Sequence, residues 1–188
     1  MSKVLVGQFD RVNRSAPGPP LNYNQLMTTA TRARFSISAI PTDVVARIRT
    51  RLVDDFGNQL VARAVDSAPC RHCLRITKPG EDLIVFAYQP FTSVGPYAEV
   101  GPVFVHAAPC DAYTHRNSFP EDFRKRILTM RGYNAEGTIE TAALSDAGNP
   151  EATIERLFSN ERVCFIHVRN PAWGCYDFRI DRFSDLGS

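Results

Sequence analysis

"NPEATIERLFSNERVCFIHVRNPAWGCYDFRI", residues 149–180, decides the class of fold. Its first third follows helix grammar. Asn149 can cap the first turn, and Pro150 suits the first helical position, where no N–H is needed. Ile154, Leu157 and Phe158 then recur on one face. "RVCFIHV" reads as a strand and "GCYDFRI" as another, with Pro171 to Gly174 forcing a turn between them.

Working outward, the same two grammars recur without a regular βαβ alternation. "RILTMRGY" and "GTIETAAL" flank "NAEG", the turn chemistry of a hairpin in which glycine supplies positive φ. "LIVFAY", residues 83–88, follows Pro79-Gly80 and is a short, apolar, β-forming run of the kind that becomes a buried strand; "GPVFVHA", residues 101–107, reads the same way. "RFSISAI" alternates at Phe35, Ile37 and Ala39, a half-buried strand. After Pro41 a helix runs to about Asp55, capped by Thr42 or Asp43, with Val44, Val45, Ile48 and Leu52 at helical spacing and Phe56-Gly57-Asn58 as the stop. Strands with interspersed helices give an α+β domain with a mixed or largely antiparallel sheet and two or three helices.

Residues 1–32 carry "NRSAPGPPLNYNQ" and little periodicity, so they are expected to be a disordered extension, with one globular domain over 33–184. Met27 is a candidate natural start within that stretch. The chain of 188 residues is 44% hydrophobic and carries a net charge of +2. That is enough apolar content for a full core, and too little single-sign charge for sequence-independent nucleic-acid binding. No apolar run approaches the roughly 20 residues of a membrane span. The expectation is a cytoplasmic protein with no nucleic-acid or membrane partner. Five cysteines, an odd number, fit reduced thiols better than a disulfide framework.

The chemistry concentrates in "APCRHCLRI", residues 68–76. As a strand it would put Cys70 and His72 on one face and Arg71, Cys73 and Arg75 on the other. As a turn, Cys70-x-x-Cys73 is half of a zinc knuckle. The remaining two ligands would come from His106 with Cys110, or from His167 with Cys175; the first pair is the better, because His106 ends a strand and Cys110 lies in the loop after it. As a reactive thiol, Cys73 has cationic neighbours that favour thiolate, with His106 or His167 as base. A thioredoxin-like role is disfavoured, because "LRITKPG" after Cys73 is not a helix.

Elsewhere, "GPYAEVGPVFVHA" mounts Tyr97 and Glu99 between two Gly-Pro pairs. "CFIHVRN" gathers His167, Arg169 and Asn170 at the end of a strand, with Trp173 in the turn beyond. Arg71, Arg131 and Arg169 carry planar forks suited to carboxylate or phosphate, unless each is spent on its own ion pair. No P-loop, G-x-G-x-x-G, H-E-x-x-H or G-x-S-x-G occurs, which removes the motif-readable nucleotide, zincin and serine-hydrolase classes.

"PCRHCLR…PGED", "GPYAEVGPVFVHA", "RGYNAEG" and "IERLFSNERVCFIHVRNPAWGCYDFRIDR" resemble, in that order, the bacterial family catalogued as domain of unknown function 1203, from about Arg34 to Phe183. The resemblance implies a single bacterial domain and brings no activity, cofactor or substrate.

The leading functional reading is a pocket for a small anionic ligand in which Arg71, His72, Tyr97, His106, Arg131 and His167 converge, with Arg169 and Asn170 as further binding groups. Cys73, His106 and His167 are its catalytic candidates, and turnover is left open. It also expects the strands of His106 and His167 to be close in the sheet. One alternative is a non-catalytic structural or interaction protein. The other is a zinc-stabilised domain held by Cys70, Cys73, His106 and Cys110.

Overall fold

The computed structural model describes residues 35–92 and 94–183. The expected extension at 1–32 and Met27 lie outside the described residues. Within the described residues eight strands and three helices run in the order β1 (Phe35–Ser38), α1 (Thr42–Arg51), β2 (Ala62–Ala64), β3 (Asp82–Tyr88), β4 (Gly101–His106), α2 (Glu121–Arg124), β5 (Thr129–Tyr133), β6 (Ile139–Leu144), α3 (Pro150–Phe158), β7 (Phe165–Arg169) and β8 (Tyr176–Arg182). They form an antiparallel five-stranded sheet, β1-β8-β7-β5-β6, and an antiparallel three-stranded sheet, β2-β3-β4. The fold is α+β, as the patterning predicts.

The segment that decided the class folds as read. Asn149 accepts from the Ala152 N–H with Pro150 at the first helical position, and β7 and β8 pair antiparallel across the Asn170–Gly174 turn. The hairpin of β5 and β6 closes over Asn134–Gly137, with Gly137 at φ 78. Gly132 within β5 serves a different need. A Cβ there would stand 3.0 Å from Val163 Cγ1 and 3.1 Å from Thr141 Cγ2, so any larger residue would have to push these side chains aside by a few tenths of an ångström.

Two hydrophobic cores result. Ile37, Met130, Ile166, Val168, Phe178 and Ile180 of the large sheet pack with Phe123 of α2 and with Ile154 and Leu157 of α3. Val45 and Ile48 of α1 pack with Ile84, Phe86, Val103 and Val105 of the small sheet, and Cys70 is sealed among them.

Four expectations are corrected. Helix α1 stops at Arg51 rather than near Asp55, because Leu52 adopts the left-handed conformation at φ 51 and donates its N–H to Ile48 O, closing the last turn. Neither Thr42 nor Asp43 caps it: Pro41 stands at the cap, and the Thr42 hydroxyl is engaged with His72 Nε2 at 3.1 Å. The strands of His106 and His167 are not neighbours, since β4 belongs to the small sheet and β7 to the large one. Finally, "APCRHCLRI" is not a strand. Its backbone groups close on themselves, Leu74 N–H to Cys70 O and Cys70 N–H to Arg75 O, both at 2.9 Å, and Leu74 turns the chain at φ 54. Among the described residues no helix is long and apolar enough to cross a membrane.

Candidate metal centre

The turn at 70–73 brings both of its thiols to one place, and β4 brings the rest. His106 is the last residue of β4 and Cys110 follows in the loop. The ligand atoms of Cys70, Cys73, His106 and Cys110 all lie within 4.8 Å of one another. Cys70 Sγ is 3.9 Å from Cys110 Sγ, and Cys73 Sγ is 3.5 Å from His106 Nδ1. A tetrahedron built from Zn–S and Zn–N bonds of ordinary length has edges of about 3.8 Å between sulfurs and about 3.5 Å between sulfur and nitrogen. The two separations match those edge lengths.

The surroundings suit a thiolate-rich cluster. The His106 N–H donates to Cys70 Sγ at 3.4 Å, and Arg49 Nη2 donates to Cys110 Sγ at 3.3 Å. His72 Nδ1 lies 3.3 Å from the same sulfur. His106 Nε2, the ring nitrogen away from the cluster, is 3.3 Å from Glu81 Oε2, and Glu81 is itself gripped by Arg75 at 2.8 Å. Arg75 holds the Glu81 carboxyl down at about 2, so it is a carboxylate ready to accept from the imidazole. A carboxylate behind a ligand histidine fixes its tautomer and raises its basicity. Three thiolates and a divalent ion sum to −1, which Arg49 offsets at hydrogen-bond range.

Hydrogen bonds from Cys110 and Cys73 pull the Cys70 thiol far below the ordinary thiol range. The same thiol contacts, that with Cys110 foremost, push Cys73 strongly up. Cys73 is thus shifted opposite to the direction its cationic sequence neighbours suggested. All five cysteines are free thiols.

The remaining predicted residues do not all meet in one pocket: Arg131 and Arg169 meet on Glu99, His72 sits beside the thiols, and the others lie apart. Arg71 is buried between the sheets: its N–H donates to Phe104 O of β4 at 2.8 Å, its Nε to Tyr176 O of β8 at 2.9 Å, and its Nη2 pairs with Asp177 at 3.0 Å. His72 is buried beside the thiols, and desolvation holds it below the usual imidazole range. Arg131 and Arg169 both pair with Glu99, at 2.8 and 2.5 Å. Asn170 Oδ1 accepts from the Ala172 and Trp173 N–H groups and shapes the turn. Tyr97 is exposed. His167 is wholly buried in a cage of Phe91, Tyr133, Phe165 and Tyr176, with ring centroids 4.7–5.1 Å away. It is not part of the thiol cluster.

Sequence reasoning missed Glu81, Arg49 and Asp177. Glu81 and Arg49 reach the cluster from 25 and 57 residues away from His106, a separation that no local pattern encodes. Asp177 left one trace, an acid between the two buried aromatics Tyr176 and Phe178 of β8.

The fold and this cluster define an α+β protein with a Cys3His donor set between its small sheet and a tight thiol turn. A family model described as "protein of unknown function (DUF1203)" matches residues 67–182, and the chain belongs to that family. Neither a curated protein nor a solved structure matches the chain.

Proposed function

We propose that this is a metal-stabilised domain in which Cys70, Cys73, His106 and Cys110 hold one thiophilic divalent ion, zinc by the softness of the donors. The observation that supports this most is the pair of separations, 3.9 Å for Cys70 to Cys110 and 3.5 Å for Cys73 to His106, which match two edges of one coordination tetrahedron. The role is structural. Four protein ligands complete the tetrahedron and leave no position for water or substrate. Cys70 is fully buried in the second core, so the ion acts as a cross-link between the 70–73 turn and the loop after β4. That cross-link also sets Arg71, one residue beyond Cys70, between the two sheets.

Treating the purified full chain with a chelator, with thermal unfolding as the readout, tests the reading. The melting temperature falls and recovers on adding zinc, and cobalt taken up in its place gives the visible spectrum of a tetrahedral thiolate site. An unchanged melting temperature after the chelator has stripped all zinc contradicts a structural ion.

A further inference from the structure

On the large sheet, away from the thiol cluster, Glu99 bridges two arginines from adjacent strands. Its Oε1 accepts from Arg131 Nη1 of β5 at 2.8 Å, and its Oε2 pairs with Arg169 Nη1 of β7 at 2.5 Å. The partners differ sharply in burial: Arg169 is 5% exposed and Glu99 44%. Arg169 Nη1 also donates to Gly174 O, but Nε and Nη2 have no partner among the described residues although both are buried. That pair of donors is the edge of a guanidinium that takes a carboxylate in two parallel hydrogen bonds. Arg179 adds a third cation on the same face, opposite His167 in the strand register, and Asp181 is its own partner. Counting Arg131, Arg169 and Arg179 against Glu99 and Asp181 leaves the patch at +1.

Arg169 and Glu99 line a cleft of about 360 Å³ whose other walls are largely apolar: Tyr88, Pro90, Pro102, Trp173 and Tyr176. This is within the range of small-ligand sites, roughly 300–1,000 Å³, and has their usual make-up of apolar walls with a few placed polar groups. Trp173, the one tryptophan of the chain, stands at its rim 83% exposed.

We propose that this cleft binds a small organic acid, its carboxylate on Arg169 and its apolar body against Tyr88, Tyr176 and Trp173, and that Glu99 is the internal carboxylate it displaces. Glu99 holds Nη1 of this guanidinium and offsets its charge, while Nε and Nη2 have no partner among the described residues, so an incoming carboxylate gains the arginine's charge only by displacing Glu99. The apparent affinity of the native protein is lowered by the fraction of molecules in which Glu99 stays on Arg169.

Fluorescence of Trp173 in the full-length protein, titrated with cyclohexanecarboxylate, tests the proposal, with cyclohexanecarboxamide and inorganic phosphate as comparisons. The carboxylate gives a saturable change, the neutral amide none, and phosphate a weaker one. Glu99→Gln, which keeps the size of a side chain that is 44% exposed, binds the carboxylate about tenfold more tightly, since the internal competitor has lost its charge. Arg169→Met abolishes the response; if that variant fails to fold, the direction of the Glu99→Gln effect decides alone. A carboxylate response in neither wild type nor Glu99→Gln, equal binding of the amide, or a Glu99→Gln affinity no higher than wild type overturns the proposal. Phosphate binding as tightly as the carboxylate overturns the organic-acid assignment. None of these outcomes depends on the metal centre.

Discussion

Arg71 Nη2 stands 3.0 Å from Asp177 Oδ1, with 3% and 2% of the two side chains exposed, so the residue that follows the first thiol of the turn is ion-paired to the last strand of the large sheet. Burial pushes the Asp177 carboxyl up, to about 6, against the opposing pull of Arg71, which shows how fully the pair is desolvated.

Arg71→Met should therefore be severe. It leaves a buried carboxylate without its cation and costs about 3–5 kcal/mol by urea denaturation. Arg71→Met combined with Asp177→Leu should recover most of that loss, because replacing both charges with apolar groups removes the desolvation penalty along with the pair. A double variant as unstable as the sum of its single changes contradicts this account of the pair.

Glu81→Gln should weaken the metal centre without destroying it. The carboxylate accepts from His106 Nε2, and loss of such a partner behind a ligand typically costs about 10- to 100-fold in metal affinity. Competition with a chromophoric chelator measures it. Unchanged affinity would remove Glu81 from any role at the centre.

The strands and α3 were legible because their signals are local. Asn149-Pro150 start a helix by their own chemistry, and Gly137 closes a hairpin by its own φ. The thiol turn was harder, because alternation of Cys70, Arg71, His72 and Cys73 looks like a strand, and what overrides it is a chain reversal closed by Leu74 N–H on Cys70 O. The ligand set was among the sequence readings, since His106 at a strand end and Cys110 just beyond it have the right local placement. What could not be read was pairing at a distance. Of the three arginines expected around one anion, Arg71 is drawn away to Asp177 while Arg131 and Arg169 meet on Glu99, and nothing near residue 71 in sequence announces residue 177.

His167 gives the fold a dependence on pH. Burial, reinforced by Arg169, Arg179 and Arg131, holds its imidazole down at about 3, against an unfolded value near 6.5. Between those values the unfolded chain takes up a proton that the folded one refuses. The His167 contribution is therefore full above pH 6.5 and is lost as the pH falls toward 3. Relative to His167→Phe, an aromatic replacement that does not titrate, wild type should lose about 2 kcal/mol between pH 7 and pH 5. Taking the difference between the two proteins at each pH cancels acid effects on the metal centre, which they share. A difference that stays flat across this range contradicts a neutral, buried His167.

The central claim is tested most directly by the zinc content of the full chain, purified without added metal, beside Cys73→Ser and the control Cys164→Ser. Cys164 is an exposed thiol that takes no part in the cluster. The account predicts one zinc per chain in the wild type and in Cys164→Ser, from the one four-ligand cluster among the described residues, and a loss of zinc with a lowered melting temperature in Cys73→Ser. A wild type that is cooperatively folded and free of metal, or a Cys73→Ser protein that keeps its full zinc, contradicts it.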